Sequence, residues 1–156
     1  MQCKDRLESY LRDNQVPFQV QHHARAYTAQ EIAASEHISG KLLAKVVIAK
    51  ADDKLIMLAL PASHRVHEST LTMVLGANDA RPAHEDEFRD AFPDCEVGAM
   101  PPFGNLYGVP VVVDRSLAED ETIVVQAGTH TDTLSLKYAD FARLVEPAVV
   151  EFARHL

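Results

Sequence analysis

Two apolar segments joined by a short polar turn constrain the fold of this chain more than any other feature. Residues 42–50 and 55–60 are rich in Val, Leu and Ile, and Ala51-Asp52-Asp53-Lys54 separates them. Runs of aliphatic and β-branched residues around a polar turn are typical of a β-hairpin. We therefore predict a hairpin, on which further strands and helices have to pack.

The segments on either side of the hairpin predict helices and strands in alternation. Thr28-Ala29-Gln30-Glu31 is a capping-box pattern, in which a hydroxyl and a carboxylate satisfy free backbone N–H groups, so a helix is expected from Ala29 to Glu36. Apolar spacing and turn residues predict a first helix that ends before Pro17, further helices at 68–75, 85–92 and 138–145, and strands at 18–22, 109–113, 123–127 and 133–136. This interleaving indicates an α+β fold with a mixed sheet.

The length and the composition fit one domain over residues 1–156. Hydrophobic residues make up 47% of the chain, which is enough for a core, and the sequence contains no repeat and no low-complexity tract. Charged residues interrupt the first segment, so no signal peptide is expected there, and no apolar run reaches the roughly 20 residues that cross a bilayer. We therefore expect a cytoplasmic protein without membrane contact.

The acidic charge argues against one class of partner. A formal net charge of −8 has the wrong sign for a protein that grips a long stretch of phosphates, because such binding depends on clustered Lys and Arg. Binding to DNA is therefore not expected. Contact with the tip of an RNA, where a few hydrogen bonds and a stacked base suffice, stays open.

Covalent, metal and cofactor chemistry find little support in the sequence. Cys3 and Cys95 lie far apart and outside any C-x-x-C pattern, which predicts two free thiols in a reducing compartment. His22-His23 and His64-x-x-His67-Glu68 match no recognised zinc spacing, and the sequence contains no G-x-S-x-G turn and no G-x-G-x-x-G or Walker-type loop. We therefore expect no metal and no cofactor, and no nucleophile is indicated.

Lys45 is the first candidate site residue. In the predicted strand it shares one face with Leu43 and Val47, while Ala44 and Val46 point to the other face. An ammonium among apolar residues either reaches solvent at the strand edge or meets an acceptor in a pocket, because its burial alone is costly. The strand pattern by itself leaves both interpretations open.

Two loops supply further candidates. The segment from Gly98 to Asn105 holds paired prolines between glycines, so it is stiff and allows close approach to the backbone. Residues 127–132 follow a predicted strand and carry His130, which could donate a hydrogen bond or titrate near neutral pH. Each loop also fits an ordinary turn, and a lone loop histidine is often idle.

Taken in order, these segments resemble the YbaK/prolyl-tRNA-synthetase-associated editing domain. Five motifs carry the resemblance: Ala44-Lys45-Val46-Val47, Leu60-Pro61-Ala62, Gly98-x-x-x-Pro102-Phe103-Gly104, Val113-Asp114 and Ala127-Gly128-x-His130. Together they cover the chain from about Val16 to Pro147. The resemblance implies a curved, largely antiparallel mixed sheet, sometimes described as a pseudo-barrel, with helices packed around it.

The resemblance also implies an activity. Members of that family remove wrongly attached amino acids from tRNA, typically tRNA for proline, and the ribose of the terminal adenosine assists the hydrolysis. Lys45 corresponds to the lysine that helps to hold the substrate and is the expected catalytic residue. The expected substrate-binding residues are Tyr27, Thr28, Gly98, Met100, Pro102, Phe103, Gly104, Gly128 and His130. Because an ester is already activated, a positioned water and N–H groups for the developing oxyanion can replace a protein nucleophile.

The expected partner is the acceptor end of an aminoacyl-tRNA. Since the chain is acidic, we expect it to hold tRNA weakly on its own, so that prolyl-tRNA synthetase or an elongation factor would deliver the substrate. An editing pocket selects amino acids by size, and Val47, Met100 and Phe103 are its expected walls.

Two other functions fit the same residues. Many relatives carry a polar residue directly after the lysine, where this chain has Val46, which puts substrate hydrogen bonding there in question. A non-catalytic module that binds the acceptor end of tRNA, or a synthetase, would keep Lys45 and the glycines. A hydrolase of another small activated ester would use the same pocket chemistry.

Overall fold

The hairpin predicted from the sequence lies at the centre of the fold. In the computed structural model, which describes residues 1–156, β2 (Leu43–Ala51) and β3 (Lys54–Pro61) pair antiparallel, from Ala51 opposite Lys54 to Ala44 opposite Pro61. The other strands are β1 (Gln19–His22), β4 (His64–Val66), β5 (Ala80–Pro82), β6 (Val111–Asp114), β7 (Thr122–Gln126), β8 (Asp132–Lys137), β9 (Ala148–Val150) and β10 (Ala153–His155).

One large sheet is built on this hairpin. Its strand order is β1-β8-β7-β2-β3-β6-β9, and β5 pairs with the end of β2. The pairs β2–β7, β3–β6 and β6–β9 are parallel, and the other neighbours are antiparallel. The predicted mixed sheet with surrounding helices is therefore confirmed, and the strand path is open at β1 and β9.

Five of the six helices lie within segments predicted to be helical. They are α1 (Cys3–Asp13), α2 (Ala29–Ser35), α3 (Leu71–Leu75), α4 (Glu85–Phe88), α5 (Arg115–Ala118) and α6 (Tyr138–Val145). Helix α4 ends earlier than predicted, and α5 was not predicted. Thr28 caps α2, because its hydroxyl accepts the N–H of Glu31 at 3.1 Å and donates to the Glu31 carboxylate at 2.9 Å. Gly76 ends α3 with a left-handed φ of 64°. No helix combines the length and the apolar character that a membrane crossing requires.

Strand β2 buries side chains on both of its faces. On the first face Ala44 belongs to the main core, together with Leu11 of α1 and Phe141 of α6. On the second face Leu43 packs in a cluster under α2, and Ala49 packs in another cluster next to α3. Each fully buried aliphatic or aromatic side chain contributes about 1.5–3 kcal/mol, so both faces hold the sheet in place. Lys45 lies between the two clusters of the second face.

A second, two-stranded sheet was not predicted. In the C-terminal ribbon, which we define as β4 and β10, His64 lies opposite His155 and Arg65 lies opposite Arg154 in antiparallel register. The two strands have only three residues each and come from distant parts of the chain. Neither strand carries the longer alternating pattern that identifies a strand in a sequence.

Cys3 and Cys95 form a disulfide, so the prediction of two free thiols is wrong. The residues are 92 positions apart in the sequence, but the Cα atoms lie 4.8 Å apart because the start of α1 packs against the segment after Phe92. The N–H of Cys3 donates to the carbonyl of Asp94 at 3.0 Å, and Arg6 Nε donates to the Asp94 carboxylate at 2.9 Å. Sequence spacing carries no information about such a contact, since the fold alone brings the two segments together.

Candidate functional site

Lys45 lies on the second face of β2, as the strand alternation predicts. The side chain is half-buried between Leu43 and Val47, and its ammonium has neither a hydrogen-bond acceptor nor an ion-pair partner in the chain. Burial lowers the pKa of Lys45 below its ordinary value, because an apolar setting disfavours the charged form. A half-buried ammonium without a partner is costly, and an anionic ligand would offset that cost.

The Lys45 ammonium opens onto a cleft of about 490 Å³, which we call the Lys45 cleft. Its lining residues come from β2, β4, β5, β10 and the turn before α3: Lys45, Val47, Arg65, Val66, His67, Glu68, Ser69, Pro82 and Arg154. Lys45, Arg65 and Arg154 are cationic side chains, and Glu68 is the one anionic side chain. The cleft is therefore cationic on a chain whose net charge is −8.

Gln126 is a second polar residue on this face, and the sequence did not single it out. Ala44 of β2 lies beside Val125 of β7 in parallel register, so the next residue, Gln126, comes beside Lys45 on the same face. The Oε1 atom of Gln126 is buried and has no hydrogen-bond donor within the chain. A buried acceptor without a donor costs about 1–3 kcal/mol. Gln126 does not line the Lys45 cleft described above.

The two glycine-containing loops pack against each other. The N–H of Gly128 donates to the carbonyl of Ala99 at 2.9 Å, and the carbonyl of Gly128 accepts the N–H of Glu96 at 2.8 Å. Gly98 has a φ of 86° and Gly128 a φ of 94°, which residues with a Cβ rarely adopt. Both glycines are therefore required by the backbone at this junction.

His130 connects the same two loops to Tyr27. Its Nε2 lies 2.9 Å from the carbonyl of Val97. Because a carbonyl only accepts, Nε2 must carry the proton, and Nδ1 of the neutral ring is then an acceptor. That Nδ1 is buried and has no donor. The ring centroid of Tyr27 lies 4.7 Å from that of His130, and 65% of Tyr27 is exposed, so Tyr27 presents an aromatic surface beside the loops.

Several predicted substrate-binding residues serve the fold in this structure. Thr28 uses its hydroxyl to cap α2, while Met100 and Phe103 are 4% and 0% exposed in the main core. Pro102 and Gly104 are buried in the same loop. The side chains of Met100 and Phe103 fill the core and do not line the Lys45 cleft. Contact of these residues with a substrate stays a prediction.

The structure places Lys45 and the loops in two different surroundings. No residue of either loop lines the Lys45 cleft, whereas Gly128 lines a second cleft of about 200 Å³ next to Cys3 and Cys95. The alternation of β2 gives the physical reason: Met100 and Phe103 pack on the face of Ala44, and Lys45 points to the opposite face. A single pocket lined by all the predicted residues is not what the structure shows.

The loops do offer backbone donors. The N–H groups of Gly98 and Thr129 have no acceptor within the chain. In contrast, Gly128 donates to Ala99, and the N–H of His130 donates to the Glu96 carboxylate at 3.1 Å. Gly98 and Thr129 are therefore two loop residues whose free N–H groups can stabilise a developing oxyanion.

A hydroxyl and an imidazole also meet in the Lys45 cleft. Ser69 Oγ lies 2.8 Å from Nε2 of His67, and both residues line the cleft. No carboxylate accepts from the other ring nitrogen of His67, so the pair has no third group that orients the imidazole. The contact also fits a local turn, since Thr70 donates its hydroxyl to the carbonyl of His67 at 2.8 Å.

Taken together, the fold and the site define a class: a small α+β domain whose central strand presents an unpaired lysine to a cationic cleft. Within that class, the chain belongs to the aminoacyl-tRNA editing domain family, whose model matches residues 23–144. The family predicted from the sequence motifs is thereby confirmed.

Comparisons with individual proteins agree with this family. The chain is 26% identical to proline–tRNA ligase of Bacillus cereus strain AH187 and 28% identical to that of Bacillus cytotoxicus, over 89 residues in each case. These matches cover 57% of this chain but only 16% of each ligase. A crystal structure of a candidate trans-editing enzyme for prolyl-tRNA synthetase superposes with a TM-score of 0.83 at 17% identity, and covers 97% of both chains. A hypothetical protein superposes with a TM-score of 0.85 at 17% identity, over 95% of this chain and 99% of its own.

Proposed function

We propose that this chain hydrolyses the ester bond of mischarged aminoacyl-tRNA, and that its substrate is tRNA for proline carrying a small wrong amino acid. The observation that carries the proposal is the half-buried ammonium of Lys45, which has no partner and opens onto the Lys45 cleft. Family membership supports the substrate class. Similarity to proline–tRNA ligases supports the choice of tRNA.

In this proposal Lys45 binds the phosphate of the terminal adenosine. A phosphate supplies the negative charge that the half-buried ammonium lacks, and charge-assisted hydrogen bonds of this kind are about twice as strong as neutral ones. This contact would fix the adenosine, and the proximity of its free ribose hydroxyl to the ester would organise the attacking water.

The proposal needs no protein nucleophile. Cys95 is bound to Cys3 in a disulfide and therefore offers no thiolate. The free N–H groups of Gly98 and Thr129 are the donors proposed for the oxyanion, and the exposed ring of Tyr27 is proposed to stack on a base. Because Lys45 and the loops occupy different surroundings, the substrate would have to reach from the cleft to the loop edge.

A second candidate is hydrolysis of a small activated ester through a covalent intermediate. The contact between His67 and Ser69 in the Lys45 cleft favours it, because an imidazole within hydrogen-bond distance can take the hydroxyl proton as Ser69 attacks. Substitution of Ser69 by Ala separates the two routes. The water route predicts that the variant retains activity, whereas the covalent route predicts that activity is lost.

A panel of tRNAs for proline charged with Ala, Cys, Ser, Thr or Pro tests the proposal. We expect wild-type protein to deacylate at least one mischarged tRNA and Lys45→Ala to lose on the order of 100-fold in kcat/KM. Lys54→Ala, which removes an exposed lysine without an ion-pair partner at the start of β3, is the matched control and should retain full activity.

The same panel identifies the alternatives. Absence of turnover on every charged tRNA, combined with binding to uncharged tRNA or to prolyl-tRNA synthetase, would indicate the non-catalytic module. Turnover of small esters alone would indicate the ester hydrolase. Addition of prolyl-tRNA synthetase or an elongation factor tests delivery, since either should lower KM if this acidic chain depends on a carrier.

A further inference from the structure

Two arginines face each other on the C-terminal ribbon without any acidic partner. Arg65 of β4 and Arg154 of β10 are directly opposite in the antiparallel register. Neither side chain forms an ion pair or a hydrogen bond within the chain, although most other arginines do. Like charges directly opposite each other destabilise a strand pair. The stability of the ribbon therefore does not explain why two arginines lie opposite each other.

Both arginines line the Lys45 cleft. Together with Lys45 they place three cationic side chains around one cleft, against the single carboxylate of Glu68. On a chain of net charge −8, this clustering opposes the overall charge. Arginine side chains fit phosphate oxygens with two parallel hydrogen bonds, so the chemistry of the cleft rim matches a ligand with more than one phosphate.

Buried contacts hold the ribbon in its place on the cleft. Asp114, at the end of β6, is 2% exposed, and its Oδ1 accepts the N–H groups of Phe152 at 2.8 Å and Ala153 at 2.9 Å. The side chain of Phe152 is buried, and its carbonyl accepts the N–H of His67 at 2.7 Å. The backbone next to Arg154 is thus fixed by a buried carboxylate, which positions the arginine beside Arg65.

We propose that Arg65 and Arg154 bind the backbone phosphates of the nucleotides that precede the terminal adenosine in the single-stranded 3′ end of an RNA. The inference rests on the proposed function, in which Lys45 binds the terminal phosphate. It adds a second set of contacts along the same strand. Through this rim an acidic protein holds an RNA end by a few phosphates while its remaining surface repels the body of the RNA.

Binding of a fluorescent oligoribonucleotide that ends in CCA, measured by anisotropy at about 50–300 mM salt, tests the inference without any hydrolysis. Each phosphate contact on a single strand contributes about 0.7 to the slope of log affinity against log salt, so Arg65→Gln with Arg154→Gln should reduce the slope by about 1.4. Affinity at low salt should fall at least about 10-fold. The double substitution to Lys keeps the charges and should restore most of the slope.

The matched control is Arg12→Gln with Arg143→Gln, which removes the same charge from α1 and α6 on the opposite side of the sheet. This control should leave the slope unchanged, and circular dichroism verifies that each variant is folded. A blunt RNA duplex, which has phosphates but no single-stranded 3′ end, should bind more weakly than the oligoribonucleotide. Equal binding of the two RNAs would overturn the preference for a single strand.

The outcomes separate this inference from the proposed function. If the wild type deacylates no tRNA but the Gln variants lose slope and affinity, the phosphate contacts stand and the editing reaction fails. If the wild type deacylates tRNA and the Gln variants keep the wild-type slope and KM, the arginine contacts are refuted and the editing reaction stands. Failure of the wild type to bind the oligoribonucleotide also refutes the arginine contacts.

Discussion

Reduction of the Cys3–Cys95 disulfide is expected to lower the free energy of unfolding by about 4 kcal/mol. The bond links residues 92 positions apart. For a closed loop of that length the chain-entropy relation gives about 4.6 kcal/mol at 25 °C, and removal of native disulfides from small domains costs about 2–5 kcal/mol. With a urea m-value of about 2 kcal/mol/M, the unfolding midpoint should shift by about 2 M.

The assay is urea unfolding followed by circular dichroism, with and without a reductant, alongside a thiol titration. The variant with Cys3→Ser and Cys95→Ser is the control, because its midpoint should match that of the reduced protein and should not respond to reductant. Coincident midpoints for oxidised and reduced wild type would refute the reasoning. Detection of two reactive thiols in the native protein before reduction would contradict the disulfide itself.

Three further predictions concern Gly128, Asp114 and Lys45. A Cβ on Gly128 would lie 2.6 Å from Cys3 Sγ at a φ of 94°, so Gly128→Ala should cost about 2–4 kcal/mol in thermal or urea unfolding. Gly76→Ala, with positive φ but open space, should cost only about 1 kcal/mol. Asp114→Asn should lower the free energy of unfolding by about 1–3 kcal/mol, since one of its two accepting oxygens is lost. The same substitution should weaken oligoribonucleotide binding. Because burial lowers the pKa of Lys45, its ammonium should lose the proton at a pH below the ordinary lysine pKa of about 10.4, and oligoribonucleotide affinity should fall as this happens. Lys45→Arg should retain affinity to higher pH.

Specific outcomes would contradict each of these expectations. Equal losses for the two glycine variants would show that Cys3 yields to a Cβ without cost. Full RNA affinity in a destabilised Asp114→Asn protein would show that Arg154 does not depend on the buried carboxylate. Identical pH profiles for wild-type protein and Lys45→Arg would show that the proton on Lys45 does not control binding.

Local signals explain why much of the fold could be predicted from the sequence. The hairpin followed from two apolar runs around a polar turn, and α2 followed from the Thr28 capping box. In each case the residues that decide the structure lie within a few positions of one another, so their pattern is visible in the sequence. The motifs around Lys45 and Gly128 identified the family for the same reason.

The missing parts depend on contacts between distant segments. The pairing of Arg65 with Arg154 joins strands of three residues, and the disulfide joins Cys3 to a loop near the middle of the chain. Each arginine by itself looks like an ordinary surface charge. The sequence correctly predicted that Lys45 and Ala44 lie on different faces of β2. Only the structure shows that Met100 packs on the face of Ala44. The expected single pocket therefore divided into two surroundings.

The carboxylate of Asp114 connects the start of α5 to the C-terminal ribbon. One oxygen receives the amides of Phe152 and Ala153, and the other receives the N–H of Ser116 at the start of α5. A displacement of α5 would therefore be transmitted to the last residues of the chain. Hydrogen exchange of the Phe152 and Ala153 amides would report on changes made near Ser116. A polypeptide attached after Leu156 would begin close enough to the C-terminal ribbon to disturb it.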